Sequence, residues 1–197
     1  MNDDINKFLN HIKRTCPELA DEELTEFSLG LTVVKLNKGD FYIKAGNNQI
    51  QGGFLVDGLI RAFYTDNLGN EKTIYFIPEN DYTFHYASFI DNKPSPLSFQ
   101  CIEPSTIICF TPYHLQNAYT KISKFDKYGR IVVETKLKNQ QERLESLLYK
   151  NAEQRYVDFT NQFPQLLNRV SISHLCSYLG VERQTITRIR KKLSKSK

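Results

Sequence analysis

The sequence predicts an α+β chain: an N-terminal antiparallel β-barrel or jelly roll, then a long helix, then a C-terminal helix-turn-helix. Three observations predict it. Residues 32 to 112 hold short β-rich runs separated by turn residues. From about Tyr113 onward the strand signal stops, and apolar residues recur at helical spacing instead. Basic residues concentrate at one end: seven of the 26 lie in 183–197, which leaves 19 basic against 22 acidic residues in the remainder. That asymmetry points to a polyanionic partner, nucleic acid or anionic lipid.

Residues 1–30 read as helical. In "DDINKFLNHIKRTC", Ile5, Phe8, Leu9 and Ile12 share one helical face, and Pro17 breaks the pattern. "ELADEELTEFSLGL" gives a second short helix with Leu24, Phe27 and Leu31 on one side. The β-rich runs follow: "TVVKL", "FYIKA", "FLVDGLIRAFYT", "KTIYFIP", "LSFQCIE" and "TIICFTP". Turn residues punctuate them, and "DNLGNE" between "RAFYT" and "KTIYF" is a hairpin turn. Many short strands at regular spacing predict an antiparallel barrel or sandwich. The absence of a Gly-rich phosphate loop and of βαβ alternation argues against a dinucleotide fold or a P-loop enzyme.

"YHLQNAYTKISKF" predicts one or two short helices, and "KFDKYGRIVVETKLKNQQERLESLLYK" a long one. Val133, Leu137, Leu144 and Leu148 stand at offsets 0, 4, 11 and 15, an approximate heptad seam. A helix cannot bury such a stripe against itself. It packs either on the adjacent barrel or, as expected here, on the same helix of a second chain. In "NAEQRYVDFTNQFPQLLNR", Asn151 predicts an N-cap with Gln154 at the third helical position, Tyr156, Phe159 and Phe163 form the apolar face, and Pro164 ends the helix. The expected division is a barrel over 1–118, a long dimerisation helix over 119–150 and a helix-turn-helix domain over 151–197.

Composition bounds the rest. The chain of 197 residues is 40% hydrophobic and 24% charged, ordinary values for a soluble protein. No apolar stretch approaches the ~18–20 residues that span a bilayer, and the polar start has no secretion-signal core. No membrane association and a cytoplasmic location are expected. Cys16, Cys101, Cys109 and Cys176 are separated by 85, 8 and 67 residues, and His11, His85, His114 and His174 are equally scattered. Neither set has metal-site spacing, so buried reduced thiols and no metal are expected.

"SISHLCSYLGVERQTITRIRKKL" carries the most specific signal. Ser171 can cap a first helix, Ile172 to Leu179, and a second begins near Glu182 or Arg183. With Ile172 as position one, a helix-turn-helix needs a small residue at five, Gly at nine, and apolar residues at four, eight, ten, fifteen and eighteen. Cys176, Gly180, Leu175, Leu179, Val181, Ile186 and Ile189 fill every slot. The small residue lets two helices cross closely, Gly takes the left-handed turn, and the apolar set is a miniature core.

Ile186, Ile189 and Leu193 use up one side of the second helix. Arg183, Gln184, Thr187, Arg188 and Lys191 are left outward. A recognition helix contacts base edges with its N-terminal residues. Arg matches guanine O6 and N7, and Gln matches adenine N6 and N7. Arg183 and Gln184, in the first turn, are therefore candidate base readers. Ser171, Ser173, Thr185, Thr187, Arg190, Lys191 and Lys192 are candidate supporting or phosphate contacts. Arg190, Lys192, Lys195 and Lys197 are phosphate contacts or simply solvated charge, and for the individual late lysines solvated charge is the stronger reading.

This order of parts resembles the CRP/FNR family of bacterial transcription regulators, over essentially the whole chain. The resemblance is strongest in "LGVERQTITRIRKKL", and it extends to "FLVDGLIRAFYTDNLGNEKTIYFIPENDYTF" and "SLLYKNAEQRYVDF", which are similar to compact Bacteroidetes-type members. It implies a cyclic-nucleotide-binding-like barrel that senses a small-molecule effector. It also implies base-reading positions at Arg183, Gln184 and Arg188, a homodimer through the long helix and, as further partners, double-stranded DNA and RNA polymerase. Family members often have Glu where this chain has Gln184, so an altered half-site is expected.

Three departures qualify the resemblance. Cyclic-nucleotide binders hold the phosphate with a Gly-Glu step and an Arg before Ser or Thr. Here these positions fall on Phe84-His85 and near Pro94, before Ser95, and no Arg lies between Arg61 and Arg130. Lys93 offers a point charge without the bidentate geometry, so useful cAMP binding is not expected and the effector is left unknown. An FNR-like cysteine cluster is missing, Cys16 standing alone, and nothing distinguishes a haem sensor. The sequence ends soon after the recognition helix, so the family's C-terminal wing is expected to be absent.

Arg61, Tyr75, Tyr82, Phe84, His85, Tyr86 and Ser88 are the candidate effector-pocket residues; for Tyr75, Tyr82, Phe84, His85, Tyr86 and the neighbouring Phe89, core and hairpin packing is the stronger reading, and a ligand-free regulator is the alternative. An enzymatic cupin-like barrel would need a ligand cluster or catalytic constellation in 32–112, and none is visible. The other alternative is a small-molecule-binding barrel that acts through protein contacts rather than DNA.

Overall fold

The computed structural model describes residues 2–195, the side chain of residue 195 excepted. Helices α1 (Asp3–Thr15) and α2 (Asp21–Ser28) precede strands β1 (Thr32–Leu36), β2 (Phe41–Ile43), β3 (Gly52–Asp57), β4 (Ile60–Thr65), β5 (Glu71–Ile77) and β6 (Asp81–Tyr82). Helix α3 (Tyr86–Asp91), strands β7 (Ser98–Cys101) and β8 (Ser105–Phe110), and helices α4 (Pro112–Lys121), α5 (Phe125–Tyr149), α6 (Ala152–Gln162), α7 (Ile172–Leu179) and α8 (Arg183–Lys195) follow. The predicted α+β class and every predicted strand run are present. Strand β6 and helix α3 are additions that the sequence did not signal: one is two residues long, the other six.

The chain divides into two compact units. One comprises the residues up to Tyr64 with Tyr75–Glu134, the other Thr65–Ile74 with the residues from Thr135. The boundary falls inside α5, and the tip of the β4–β5 hairpin belongs with the helix-turn-helix.

The strands form two antiparallel sheets, ordered β1-β8-β3-β6 and β2-β7-β4-β5. Register is set by pairs such as Val34 with Ile107, Leu55 with Ile107, and Ala62 with Phe99. Between the sheets lie Ile43, Leu55, Ile60, Ala62, Ile77, Phe99, Cys101, Ile107 and Cys109. The alternate residues Phe54, Ile108 and Phe110 join a second core with Phe8, Leu9 and Ile12 of α1, Phe27 of α2, and Phe125 and Tyr128 of α5. The β1-β8-β3-β6 sheet is thus covered on both faces. That explains why "TIICF" is a continuous apolar run rather than an alternating one.

The turn in "DNLGNE" forms as its residues require. Asp66 accepts from the N–H groups of Leu68 and Asn70, and Gly69 takes a φ of 82°. The start of α5 is seated by a close approach: a Cβ on Gly129 would stand 2.5 Å from the Tyr119 hydroxyl oxygen.

Phe54 is fully buried and stacks on Phe8 with ring centroids 4.3 Å apart. Phe54→Ala is expected to destabilise the barrel by about 3–5 kcal/mol, read as a lowered denaturant midpoint at unchanged slope.

Candidate nucleic-acid interface

The C-terminal site is built from the turn outward. Ser171 caps α7, its Oγ accepting from His174 N–H at 3.1 Å. The helix closes at Gly180, which takes φ 64° and ψ 43°. Its terminal carbonyls lack intrahelical partners, and two arginines supply them. Arg143 of α5 donates to Tyr178 O and lies 3.9 Å over that residue's ring. Arg155 of α6 donates to Leu179 O at 3.0 Å. Burial pulls the Arg143 guanidinium below its ordinary pKa, yet arginine remains charged in proteins.

All seven helix-turn-helix slots behave as the pattern demands. Leu175, Cys176, Leu179, Ile186 and Ile189 are buried, Val181 is half-buried, and Gly180 is left-handed. Burial pushes the Cys176 thiol up, so this small residue stays neutral at the helix crossing. Asn151 and Gln154 form the expected capping box on α6, with bonds of 2.9 and 3.0 Å.

Helix α8 begins at Arg183, with Glu182 O accepting from Thr185 and Ile186 N–H. The candidate base readers Arg183, Gln184 and Arg188 are all exposed, as are Thr187 and Lys191. Glu182, Arg183, Gln184 and Thr187 line one shallow depression at the start of the helix. The remaining candidates divide. Ser173 is exposed on the first turn of α7, Ser171 is engaged as its cap, and Thr185 is half-buried. Arg190 donates to the Tyr156 hydroxyl at 3.0 Å and Lys192 pairs with Glu153 at 2.8 Å, so both tie α8 to α6. Lys197 and the side chain of Lys195 lie outside the described residues.

One residue of this unit escaped the sequence reading. Ser177 Oγ donates to Glu71 O at 3.0 Å and accepts from Thr73 N–H at 2.8 Å. It fastens Glu71 and Thr73 to α7 within the second unit. A serine in a helix gives no sequence signal of such a contact.

The barrel candidates have other duties. Arg61 is only 1% exposed, with its guanidinium 4.4 Å from the Phe63 ring. Tyr82 is half-buried and shares a hydrogen bond with the Tyr128 hydroxyl, and desolvation of that hydroxyl pushes its pKa well above the ordinary value. Phe84 packs on Phe89 and Phe110, Tyr75 against the inter-sheet core, while Tyr86 is exposed. His85 caps α3, its Nδ1 2.8 Å from Ser88 Oγ, and its backbone is held at both N–H and C=O by the Gln49 amide. Ser88 Oγ donates to Pro94 O, and Ser95 Oγ to Leu97 O.

At Gly180 an added Cβ would meet nothing within 4 Å, so only the backbone conformation opposes substitution. Gly180→Ala should lower stability by about 1–2 kcal/mol, visible as a lower thermal midpoint for the helix-turn-helix transition, without the loss of side-chain packing that a core truncation causes.

No protein-family model matches the chain, and no curated protein does. Solved structures do. FixK2 from Bradyrhizobium japonicum superposes with a TM-score of 0.73 over 84% of this chain and 85% of that one, at 15% identity. A mutant of CooA from Carboxydothermus hydrogenoformans gives 0.70 over 85% and 78%, at 16% identity. CLP of Xanthomonas campestris, a c-di-GMP responsive global regulator, gives 0.69 over 90% and 93%, at 12% identity. At these identities the likeness is one of fold. It agrees with the resemblance carried by the sequence motifs: the chain has the fold of the CRP/FNR-type regulators, a cyclic-nucleotide-binding-like barrel with a long helix and a helix-turn-helix.

Proposed function

We propose that the chain is a cytoplasmic, sequence-specific DNA-binding transcription regulator of the CRP/FNR type. It acts as a homodimer on a two-fold-related operator, and its barrel senses an effector other than cAMP. The observation that carries this reading is the division of α8. Ile186 and Ile189 are buried, while Arg183, Gln184, Thr187, Arg188 and Lys191 face solvent together. A helix anchored on one side, with donors and amides on the other, suits the major groove, which admits an α-helix and carries a unique base code.

The homodimer is supported by the seam of α5. Val133, Leu137, Leu144 and Leu148 are 42%, 63%, 57% and 65% exposed, which leaves open the partner predicted from their heptad spacing. No helix among the described residues is long and apolar enough to cross a membrane, so this stripe is not a membrane span. The reading of the effector rests on chemistry. The segment that would hold a cyclic phosphate has no arginine, and the Ser88 and Ser95 hydroxyls donate to carbonyls of the protein itself.

Binding to a selected operator, followed by fluorescence anisotropy, tests the reading. Affinity should fall steeply with salt, and half-site centres should lie about 34 Å or a multiple apart. Arg183→Ala and Arg188→Ala should each cost about 1–3 kcal/mol and relax preference at one base pair. If both variants bind operator and random DNA as the parent does, the reading face is misassigned. Leu137→Glu with Leu144→Glu should give a folded monomer by sedimentation, with operator affinity lowered; a dimer that survives both changes would place the interface elsewhere.

A further inference from the structure

The reading face contains one residue of the wrong sign for a phosphate-binding surface. Glu182 is the only acid after Asp158, it is exposed, and it lines the same depression as Arg183, Gln184 and Thr187. Its backbone carbonyl closes the first turn of α8, so its side chain stands at the end of the helix that approaches base edges. Among the described residues its carboxylate makes no ion pair and no hydrogen bond within the fold, unlike Glu153, which holds Lys192. A phosphate in this position would be repelled. A base edge offering a donor would not.

We propose that Glu182 is a specificity-determining residue that reads cytosine in the major groove. This rests on the DNA-binding function proposed above. A carboxylate has acceptors only, so its partner must be an N–H₂ group. The major groove offers two: adenine N6 and cytosine N4. Adenine sets its N7 acceptor beside N6, and that lone pair faces the second carboxylate oxygen unfavourably. Cytosine presents N4 with no acceptor on its own edge. Arg183, the next residue, matches guanine O6 and N7. Together the two side chains complement a cytosine and a guanine in one pair or in adjoining pairs. The same carboxylate disfavours any register that brings phosphate to it, so it selects against wrong sites as well as for the right one.

The test is a selection from random oligonucleotides with the parent, Glu182→Gln and Glu182→Ala, each also titrated on the parent operator across salt concentrations. The parent should enrich cytosine at one position per half-site, next to or paired with the guanine whose preference Arg183→Ala relaxes. Glu182→Gln should move that position toward adenine and weaken binding to the parent operator about tenfold. Glu182→Ala should flatten the preference there and nowhere else. Unchanged base preferences with uniformly tighter binding to all sequences would overturn the inference, because Glu182 would then act on phosphates alone. A parent that shows no salt-sensitive DNA binding would overturn the proposed function itself. The exposed Gln variant keeps the size and shape of the side chain, and an unchanged thermal midpoint confirms that folding is not the cause.

Discussion

The burial of Ile186 and Ile189 is the constraint on which the C-terminal unit depends. A 13-residue helix with this many charges is marginal in isolation, and it forms because one face docks on α6 and α7. Docking also fixes its rotation. Once these two side chains are inside, Arg183, Gln184, Thr187 and Arg188 have no choice but to face outward. The direction in which α8 leaves α7 is set separately, by the left-handed residue Gly180 and by the two guanidinium groups that hold the last carbonyls of α7. Hydrogen bonds to charged groups contribute about 1.5–3 kcal/mol each, more than an exposed ion pair such as Lys192 with Glu153, which contributes at most about 1 kcal/mol. The turn is therefore held mainly by residues remote in sequence from the motif it shapes.

Charge and function separate on this surface. The excess of basic residues first marked the C-terminal end, but two of those seven residues are tied within the fold: Arg190 donates to the Tyr156 hydroxyl and Lys192 pairs with Glu153. Among the described residues, the exposed set that remains on α8 mixes a guanidinium pair and an ammonium with an amide and a hydroxyl, with the Glu182 carboxylate beside its first turn. Net charge attracts a polyanion without regard to sequence. Discrimination needs a particular arrangement of donors and acceptors, and under the proposed function the start of α8 would supply one.

How far the sequence could be read follows from the range of each interaction. The helix-turn-helix was legible because its demands are local: a cap at Ser171, a small residue at Cys176, Gly180 for the turn, and apolar residues at fixed offsets. The strands were legible from short β-rich runs and turn chemistry, with "DNLGNE" the clearest case. What depended on distant partners was not. Helix α3 is capped by the His85 side chain and stopped by left-handed Asn92, neither of which leaves a periodic signal. Ser177 bonds to a strand about a hundred residues away. The aromatic candidates Tyr82 and Phe84 were ambiguous for a physical reason. A sheet covered on both faces places aromatic side chains on its outer side as core, with the same spacing that a ligand pocket would show.

The loops around residues 46–49 and 85–95 carry the last constraint on the barrel. The Gln49 amide pairs with both backbone groups of His85, Gly46 N–H donates to Ser95 O, and Ser95 N–H donates to Asn47 O. Ser88 adds a bond to Pro94 O, so these segments satisfy one another. A ligand entering here must break such bonds, and each buried group left unpaired costs about 1–3 kcal/mol. A cyclic phosphate would bring acceptors only, where the protein presents carbonyls already accepting and no guanidinium to compensate. Under the proposed function, the cost of opening these mutually bonded segments is the term that any effector bound at this place has to offset.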